Sequence, residues 1–351
     1  MQVETCFGKV EGAYSRGAGL PAKTLVERIA KAYRVAEACY RPPNSALWSV
    51  IAERSREVHQ ALMANDLGRL SVLLGNPGAH ELFYGFDNLF KSDIDAMRIQ
   101  ENVRSSRIEY DATLLATLGI ATGTLRAINP EFGGNNSLDR NGLENMLAGT
   151  ERHLGGPIDF PNPFPDEHGL VTSRGIISFR AIQALYQAWR VKKLSVIFGG
   201  SVLEIGAGLG RTAYYAYRCG VADYTLLDLP ITNVAQATFL GMTLGSDKIS
   251  LNGEERLPGS LRIGTPDYLQ RGTQRFNVAI NVDSLTEINE SVATDYAAYI
   301  AEHADVFLSI NHEANPYMVR QLKPFQDRCV ARSPYWLRPG YVEELFVFRR
   351  G

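Results

Sequence analysis

The segment Ser201–Arg211, SVLEIGAGLGR, constrains the fold of this chain more than any other segment. A short apolar stretch, SVLEI, is followed by glycines at positions 206, 208 and 210, and then by a helical pattern over Thr212–Cys219. This order is typical of the first βα unit of a parallel α/β sheet, whose glycine turn lets the backbone lie close to a ligand.

The spacing of these glycines separates the ligands that such a turn can bind. A dinucleotide-binding turn has the pattern GxGxxG, but this chain has Arg211 where the third glycine should stand. A P-loop ends in Gly-Lys-Ser/Thr, which the segment lacks. Glu204, two residues before the first glycine, would repel a pyrophosphate and suits a ligand with a cationic amino group. S-adenosylmethionine has such a group, together with a sulfonium and no phosphate.

A second acid supports the same cofactor. Asp228 ends the next predicted strand, YTLLD, where a carboxylate can accept hydrogen bonds from both hydroxyls of a ribose. The glycine turn, Glu204 and Asp228 together predict S-adenosylmethionine as the cofactor.

After residue 170, helical patterns alternate with short apolar strands, which indicates βαβ units and a mainly parallel sheet with helices on both faces. We therefore predict an α/β domain with a Rossmann-like sheet over residues 165–351. Its predicted strands are SVLEI, YTLLD, Leu261–Gly264, FNVAINV, DVFLSIN and Glu343–Arg349, and its predicted helices are Ile176–Leu194, Thr212–Cys219, Pro230–Leu244 and Val292–His303.

Residues 1–150 differ, because their recognisable elements are helical. The predicted helices are Leu25–Ala38, Leu47–Met63 and Ala112–Ile120, the last capped by Asp111. Asn129–Gly142 and Pro157–Gly169, rich in Asn and Gly or in Pro, are predicted loops that either link the two regions or line a substrate pocket. We expect this mainly helical region to cap that pocket or to form a homodimer interface.

The composition limits which binding partners and which cellular compartment we expect for this chain. The 351 residues suggest two domains, and the net charge of −2 argues against nucleic acid or an anionic membrane as the main partner. The four cysteines are scattered without a CxxC pair, which predicts reduced thiols and a cytoplasmic location. The sequence also predicts no membrane span and no signal peptide.

Several blocks resemble a known superfamily. EIGAGLG resembles motif I of the class I S-adenosylmethionine-dependent methyltransferases, and Asp228-Leu229-Pro230 resembles the DLP of many small-molecule O-methyltransferases. A closer similarity is to a family of sugar O-methyltransferases. It is carried by Val202–Gly208, Asp228–Gln236, Asn281–Glu287 and Ser309–Glu313, within about residues 170–315.

This resemblance implies an O-methyltransferase whose acceptor is a hydroxyl of a sugar or a glycosylated small molecule. It places the methionine end of the cofactor on the glycine turn, and the ribose and adenine on Asp228, Leu229 and Asp267. Arg174, before the helix that precedes motif I, is expected to pair with the cofactor carboxylate. The full expected cofactor set is Glu204, Gly206, Ala207, Gly208, Asp228, Leu229, Asp267, Arg174 and Asn281.

Methyl transfer to a hydroxyl needs alignment and a base that accepts the proton. Ligand-facing residues lie beyond the carboxyl ends of parallel strands, which selects Asp283 and Glu287 after the fourth strand and His312 after the fifth. We hypothesise that His312 is the base, because its unperturbed pKa of about 6.5 suits proton transfer near neutrality. Asp283 and Glu287 are the rivals, and His168, Glu313 and Asn233 are candidate acceptor contacts.

Other interpretations stay open. Asp283, His312 and Glu313 could gather a divalent cation such as Mg²⁺, although nothing in their spacing requires one. The acceptor could instead be a phenol or another small metabolite, whose pocket would be mostly apolar. Outside this class, the alternatives are a dinucleotide-dependent oxidoreductase and a non-catalytic binding protein on the same fold.

Overall fold

The computed structural model describes residues 1–40, 46–84, 87, 95, 100–126, 142–271 and 274–348. The predicted loop Asn129–Gly142 lies outside these ranges except for its last residue. Among the described helices, none is both long and apolar enough to cross a membrane.

An eight-stranded sheet dominates the C-terminal part. Its order along the sheet is β11-β12-β10-β9-β5-β6-β8-β7, with β12 antiparallel to both neighbours and the other pairs parallel. This is the strand order of the Rossmann-like class I methyltransferase sheet, so the predicted fold class is confirmed. The strands are β5 Val202–Ile205, β6 Tyr224–Leu227, β7 Ile249–Ser250, β8 Leu261–Gly264, β9 Phe276–Val282, β10 Ala304–His312, β11 Cys329–Pro334 and β12 Tyr341–Val347.

Helices cover both faces of this sheet because alternate residues of each strand point to opposite sides. Val202 of β5 joins one apolar layer, whereas Leu203 and Ile205 join the other. All four residues of β5 are buried, as a strand covered on both faces requires. The helices are α7 Phe179–Phe198, α8 Arg211–Arg218, α9 Pro230–Thr243, α10 Tyr268–Arg271 and α11 Glu290–His303.

A second, antiparallel sheet has the order β1-β2-β3-β4 and pairs the first residues of the chain with residues 165–177. Gly12 of β2 pairs with Leu170 of β3, so the first residues of the chain and those just before α7 share one sheet. The division into regions at about residues 150–165 stays a prediction. The strands are β1 Gln2–Thr5, β2 Gly8–Arg16, β3 Pro165–Thr172 and β4 Gly175–Ile177.

Between β2 and β3 the described chain is helical. The helices are α1 Lys23–Cys39, α2 Ala46–Arg54, α3 Arg56–Met63, α4 Leu67–Gly75, α5 Glu101–Thr122 and α6 Gly142–Leu154. The predicted helix over Leu47–Met63 is therefore two helices, divided at Ser55, whose hydroxyl bonds back to the Ile51 carbonyl.

Three local predictions were wrong. The predicted loop Pro157–Gly169 ends inside β3, and its Pro165 is the first residue of that strand, a position that needs no ladder N–H. The helix predicted from Ile176 begins only at Phe179, after β4. Asp111 does not cap a helix, because it lies buried inside α5.

Candidate active site

One cleft lies at the carboxyl ends of β5, β6 and β9. Its walls come from α2, the first half of α7, the glycine turn, and the segments after β6 and β9. Trp48 of α2 contributes an aromatic side chain to the cleft. This is the edge at which ligands bind in open parallel sheets, so the fold and the cavity agree on the position of the site.

The glycine turn follows β5 directly. Gly206, Gly208 and Gly210 all have positive φ angles, of 70°, 54° and 85°. A Cβ on Gly206 would lie only 2.0 Å from the Ser284 hydroxyl, because the segment after β9 packs against the turn. Glycine is therefore required at position 206 for two reasons, the backbone conformation and the neighbouring serine.

Glu204 lies one residue before the end of β5 and lines the cleft. Its carboxyl group is buried and accepts a hydrogen bond of 2.8 Å from the Tyr224 hydroxyl. Burial raises the pKa of Glu204 to about 8, against the lowering effect of the tyrosine. A cationic group entering the cleft would be attracted to the ionised form of this side chain.

Asp228 follows β6 and faces the same turn. Its oxygens accept hydrogen bonds from the backbone N–H groups of Gly208, at 3.1 Å, and Leu229, at 2.8 Å, and from the Gln236 amide at 3.2 Å. Burial raises the pKa of Asp228 to about 7, and these donors oppose the shift. We call Glu204, Gly206, Gly208 and Asp228 the glycine end of the cleft.

Asp283 also lines the cleft. It is the first residue after β9, and its φ of 57° is unusual for a residue with a side chain. Its carboxylate accepts hydrogen bonds of 2.5 Å from the Arg338 guanidinium and from the Tyr341 hydroxyl. Left-handed backbone at a non-glycine residue often marks functional sites, where surrounding contacts hold it.

His312, the last residue of β10, stands beside two acids. Its Nε2 lies 3.8 Å from Asp283 Oδ1 and 3.9 Å from Glu287 Oε1. One ligand atom from each of the three side chains lies within 4.8 Å of the others, a spacing that also suits a metal ion. Burial raises the pKa of Glu287 to about 7, and the charge of Asp283 adds to the shift. We call Asp283, Glu287, His312, Arg338 and Tyr341 the histidine end.

The contacts of the imidazole indicate its tautomer. The backbone N–H of Ala314 donates to His312 Nδ1 at 3.3 Å, and a backbone N–H can only donate. A neutral His312 therefore carries its proton on Nε2, the nitrogen that faces Asp283 and Glu287. The amide nitrogen of Asn315 lies 3.4 Å from Nε2, but its oxygen and nitrogen can exchange places and so do not decide the tautomer.

Two arginines line the cleft and differ in their partners. Arg211, the first residue of α8, is buried between Asp87, at 3.1 Å, and Glu167, at 3.0 Å. Arg180, near the start of α7, has a buried Nε without a hydrogen-bond partner among the described residues. Asp87 and Asp283 are near enough to favour its charged form, but the unsatisfied Nε is a donor that an anionic group of a ligand can use.

Arg174 and His168, by contrast, do not line the cleft. Arg174 lies in the turn between β3 and β4, where it pairs with Glu151 at 3.3 Å and Glu144 at 3.7 Å. His168 was expected in a loop but is buried in β3, with its ring 4.7 Å from that of Tyr14. Burial lowers the pKa of His168 to about 4, so it stays neutral.

Two further predicted acceptor contacts have other surroundings. Glu313 lies in an ion-pair cluster with Arg320, Arg332 and Glu344, so the structure does not bring it together with Asp283 and His312. Asn233 lies on α9 and faces a separate small cavity between α1 and α9. Its amide has no hydrogen-bond partner among the residues that the structure describes.

Of the four remaining predicted cofactor residues, Ala207 and Leu229 line the cleft, whereas Asn281 and Asp267 are not among its lining residues. Asn281 is fully buried in β9 and uses its amide to tie Ile205 to Ser284, which makes it a support of the glycine turn. Asp267 lies in the turn after β8 and accepts a hydrogen bond from Thr265.

Sequence reasoning missed Arg338, Tyr341 and Arg180. Tyr341 pairs directly with His312 across β10 and β12. Because β12 is antiparallel, its first residue lies at the same edge as the carboxyl ends of the parallel strands. In the sequence, Arg338 and Tyr341 flank Pro339-Gly340. They could be assigned to the site only with knowledge of the direction of the last strand.

No family model matches the sequence, and no curated protein matches it either. The chain is similar to the solved structure of the mitomycin 7-O-methyltransferase MmcR, with 14% identity, 93% of this chain and 94% of that chain covered, and a TM-score of 0.34. It is also similar to two methyltransferases bound to S-adenosylhomocysteine. The magnesium protoporphyrin IX methyltransferase of Synechocystis PCC 6803 has 13% identity and a TM-score of 0.31, with 49% of this chain and 89% of that chain covered. The methyltransferase PaMTH1 of Podospora anserina has 13% identity and a TM-score of 0.33, with 64% of this chain and 98% of that chain covered.

Likenesses at this level carry no argument about activity. The strand order of the large sheet identifies the fold.

Proposed function

We propose that this chain is an S-adenosylmethionine-dependent O-methyltransferase that acts on a hydroxyl of a sugar or a glycosylated small molecule. One observation carries the proposal. One cleft is lined both by the glycine end, which suits this cofactor, and by Asp283 and Glu287 of the histidine end. His312 stands beside these two acids, so that the three side chains can orient and deprotonate a hydroxyl.

The residues of the cleft fit this cofactor. The cofactor, when bound, supplies a methyl group on a sulfonium. Glu204 would attract its amino group, Asp228 its ribose hydroxyls, and Arg180 its carboxylate in place of the predicted Arg174. Arg180 fits this role because it lines the cleft and its buried Nε has no hydrogen-bond partner among the described residues, whereas Arg174 already pairs with two glutamates. Asp228 would exchange one of its present donors for a ribose hydroxyl.

The histidine end would handle the proton of the acceptor. Because His312 carries its proton on Nε2, it would donate to the acceptor oxygen and hold it in place. Glu287, half-buried beside it, would accept the proton of the acceptor hydroxyl. This assigns the base role to the predicted rival Glu287 and a positioning role to His312.

The lining of the cleft supports a sugar over a phenol. Fixed polar groups stand beside one aromatic face, since Arg180, Gln183, Asp283 and Glu287 share the cleft with Trp48. A pocket for a phenol would be mostly apolar.

Calorimetric titration of the full chain tests the cofactor. We expect S-adenosylhomocysteine to bind and a nicotinamide dinucleotide not to bind. Asp228→Asn should weaken binding about tenfold, the effect of one charge-assisted hydrogen bond. Asp247→Asn, at a carboxylate whose side chain is 70% exposed, is the matched control and should change nothing.

The opposite titration result, tight dinucleotide binding with no S-adenosylhomocysteine binding, would make the chain an oxidoreductase candidate. A panel of sugars, glycosides and phenols with labelled S-adenosylmethionine then identifies the acceptor class. Cofactor binding without transfer to any of these hydroxyls would favour a non-catalytic binding protein.

A further inference from the structure

The Asp283 carboxylate is bound by two groups from a distant part of the chain. Arg338 and Tyr341 lie in and after the turn between β11 and β12, and each contacts a different oxygen of Asp283 at 2.5 Å. The Arg338 guanidinium also stacks on the Tyr341 ring, 4.0 Å from its centroid. The two donors thus form one unit, which we call the Arg338–Tyr341 clamp.

The turn that carries the clamp is itself fixed. Tyr335 N–H donates to the Tyr341 carbonyl at 2.8 Å, and Tyr341 N–H donates to the Arg338 carbonyl at 3.2 Å. Leu337 lies between Tyr335 and Arg338 in the sequence. Its side chain is buried and anchors the turn to the apolar core. The guanidinium is therefore held at the histidine end by the fold.

A cation bound at this end would meet that guanidinium. The atoms of Asp283, Glu287 and His312 have the spacing of a divalent metal site, but Asp283 already has a cationic partner at hydrogen-bond distance. A metal on the same carboxylate would lie a few ångströms from the guanidinium, where like charges repel strongly. The chain thus supplies its own positive charge at the place where a metal would bind.

We propose that Arg338 is the resident cation of the histidine end: it neutralises and positions Asp283, so that the site binds its acceptor without a divalent metal. Arg338 acts through Asp283 and is a positioning residue. Tyr341 fixes the second oxygen and so sets the direction in which Asp283 faces His312. This inference rests on the proposed function, since it assigns a role within the same site.

Metal binding tests the proposal without any acceptor. Mn²⁺ is titrated into the full chain and followed by electron paramagnetic resonance, which reports the free ion. We expect wild type to leave Mn²⁺ free. Arg338→Met, which keeps much of the side-chain length but removes the charge, should gain one Mn²⁺ site per chain. That site should vanish in the double variant Arg338→Met/Asp283→Asn.

Two further variants separate charge from folding. Arg338→Lys keeps the positive charge and should bind no Mn²⁺, even if the loss of the fork geometry lowers turnover. Arg328→Met removes the same charge from an exposed position at the start of the same hairpin, and should behave as wild type.

Wild-type protein that binds one Mn²⁺, with the site lost in Asp283→Asn, would overturn the proposal. So would an Arg338→Met variant that binds S-adenosylhomocysteine normally but gains no Mn²⁺ site. Once an acceptor is known, wild-type transfer should survive chelation, and Arg338→Met should lose about tenfold or more in kcat with unchanged cofactor affinity. Failure of S-adenosylhomocysteine to bind wild type would count against the proposed function instead, since Mn²⁺ binding does not depend on it.

Discussion

The two ends of the cleft are built in different ways. The glycine end comes from two consecutive βα units, within residues 204–228, and much of its geometry is backbone. The histidine end gathers side chains from the segments after β9 and β10 and from the β11–β12 turn. The first is thus a local property of the chain, whereas the second exists only when distant segments meet.

Because of this difference, we expect substitutions at the two ends to affect different properties of the protein. Changes at the histidine end should lower turnover and leave cofactor binding intact. Changes at the glycine end should weaken cofactor binding first.

The largest effect is expected from Glu287→Gln. Loss of the base should lower kcat by roughly 10²- to 10⁴-fold, while the affinity for S-adenosylhomocysteine stays unchanged. Steady-state kinetics with the identified acceptor, together with calorimetry, measure the two quantities. His312→Ala should cost less, because it removes only a donor to the acceptor oxygen. If His312→Ala abolishes transfer and Glu287→Gln does not, the base is the histidine, as the sequence alone suggested.

A smaller effect is expected from Gly206→Ala. The new Cβ would meet the Ser284 hydroxyl at 2.0 Å, so the turn or the segment after β9 must shift. Strain of about 1–3 kcal/mol corresponds to roughly 5- to 150-fold weaker cofactor binding. Gly259→Ala is the control, since φ there is 71° but nothing lies within 4 Å of the added Cβ. An equal loss of cofactor affinity in the two variants would show that backbone strain, and not the contact with Ser284, weakens binding.

The smallest effect concerns pH and Glu204. Its pKa of about 8 in the free protein means that binding an ammonium group must release a proton, so cofactor affinity should rise from pH 6 to pH 8. Glu204→Gln should weaken binding about tenfold at pH 8 and remove one proton from the linkage. Calorimetry in buffers of different ionisation enthalpy counts that proton. Glu302→Gln, at an exposed helical position, is the control.

The same side chain gives the opposite trend in stability. A carboxyl whose pKa is raised by folding stabilises the free protein at low pH, and this contribution is lost as the pH rises through about 8. The melting temperature of wild type without cofactor should therefore fall between pH 6 and pH 9 more steeply than that of Glu204→Gln. Parallel curves would mean that Glu204 is already ionised in the free protein.

What the sequence could predict follows the same division. Val202–Gly208 and Asp228 signal their positions through neighbours in the chain, so the strand, the turn and the acid were predicted correctly. Arg338 and Tyr341 reach Asp283 only because β12 is antiparallel, and no local pattern shows strand direction. Arg174 was preferred to Arg180 for its position in the sequence, but only the fold shows that the β3–β4 turn points Arg174 towards α6.

The same limit applies to the first residues of the chain. β2 pairs with β3, a partner far along the sequence, and β1 pairs with β2, so no helical or loop signal near residue 10 could reveal the small sheet. β3 was not predicted because it begins with Pro165, and the sequence does not distinguish a proline at the start of a strand from a proline in a loop.

The pairing of Gly12 with Leu170 also has a kinetic consequence. Contacts between residues so far apart form slowly, because the chain must close a long loop before any stabilising contact is gained. The large sheet, whose parallel strands follow one another closely, can assemble before the small sheet closes. Since Trp48 comes from the region between β2 and β3, the cleft should gain its aromatic wall only late in refolding.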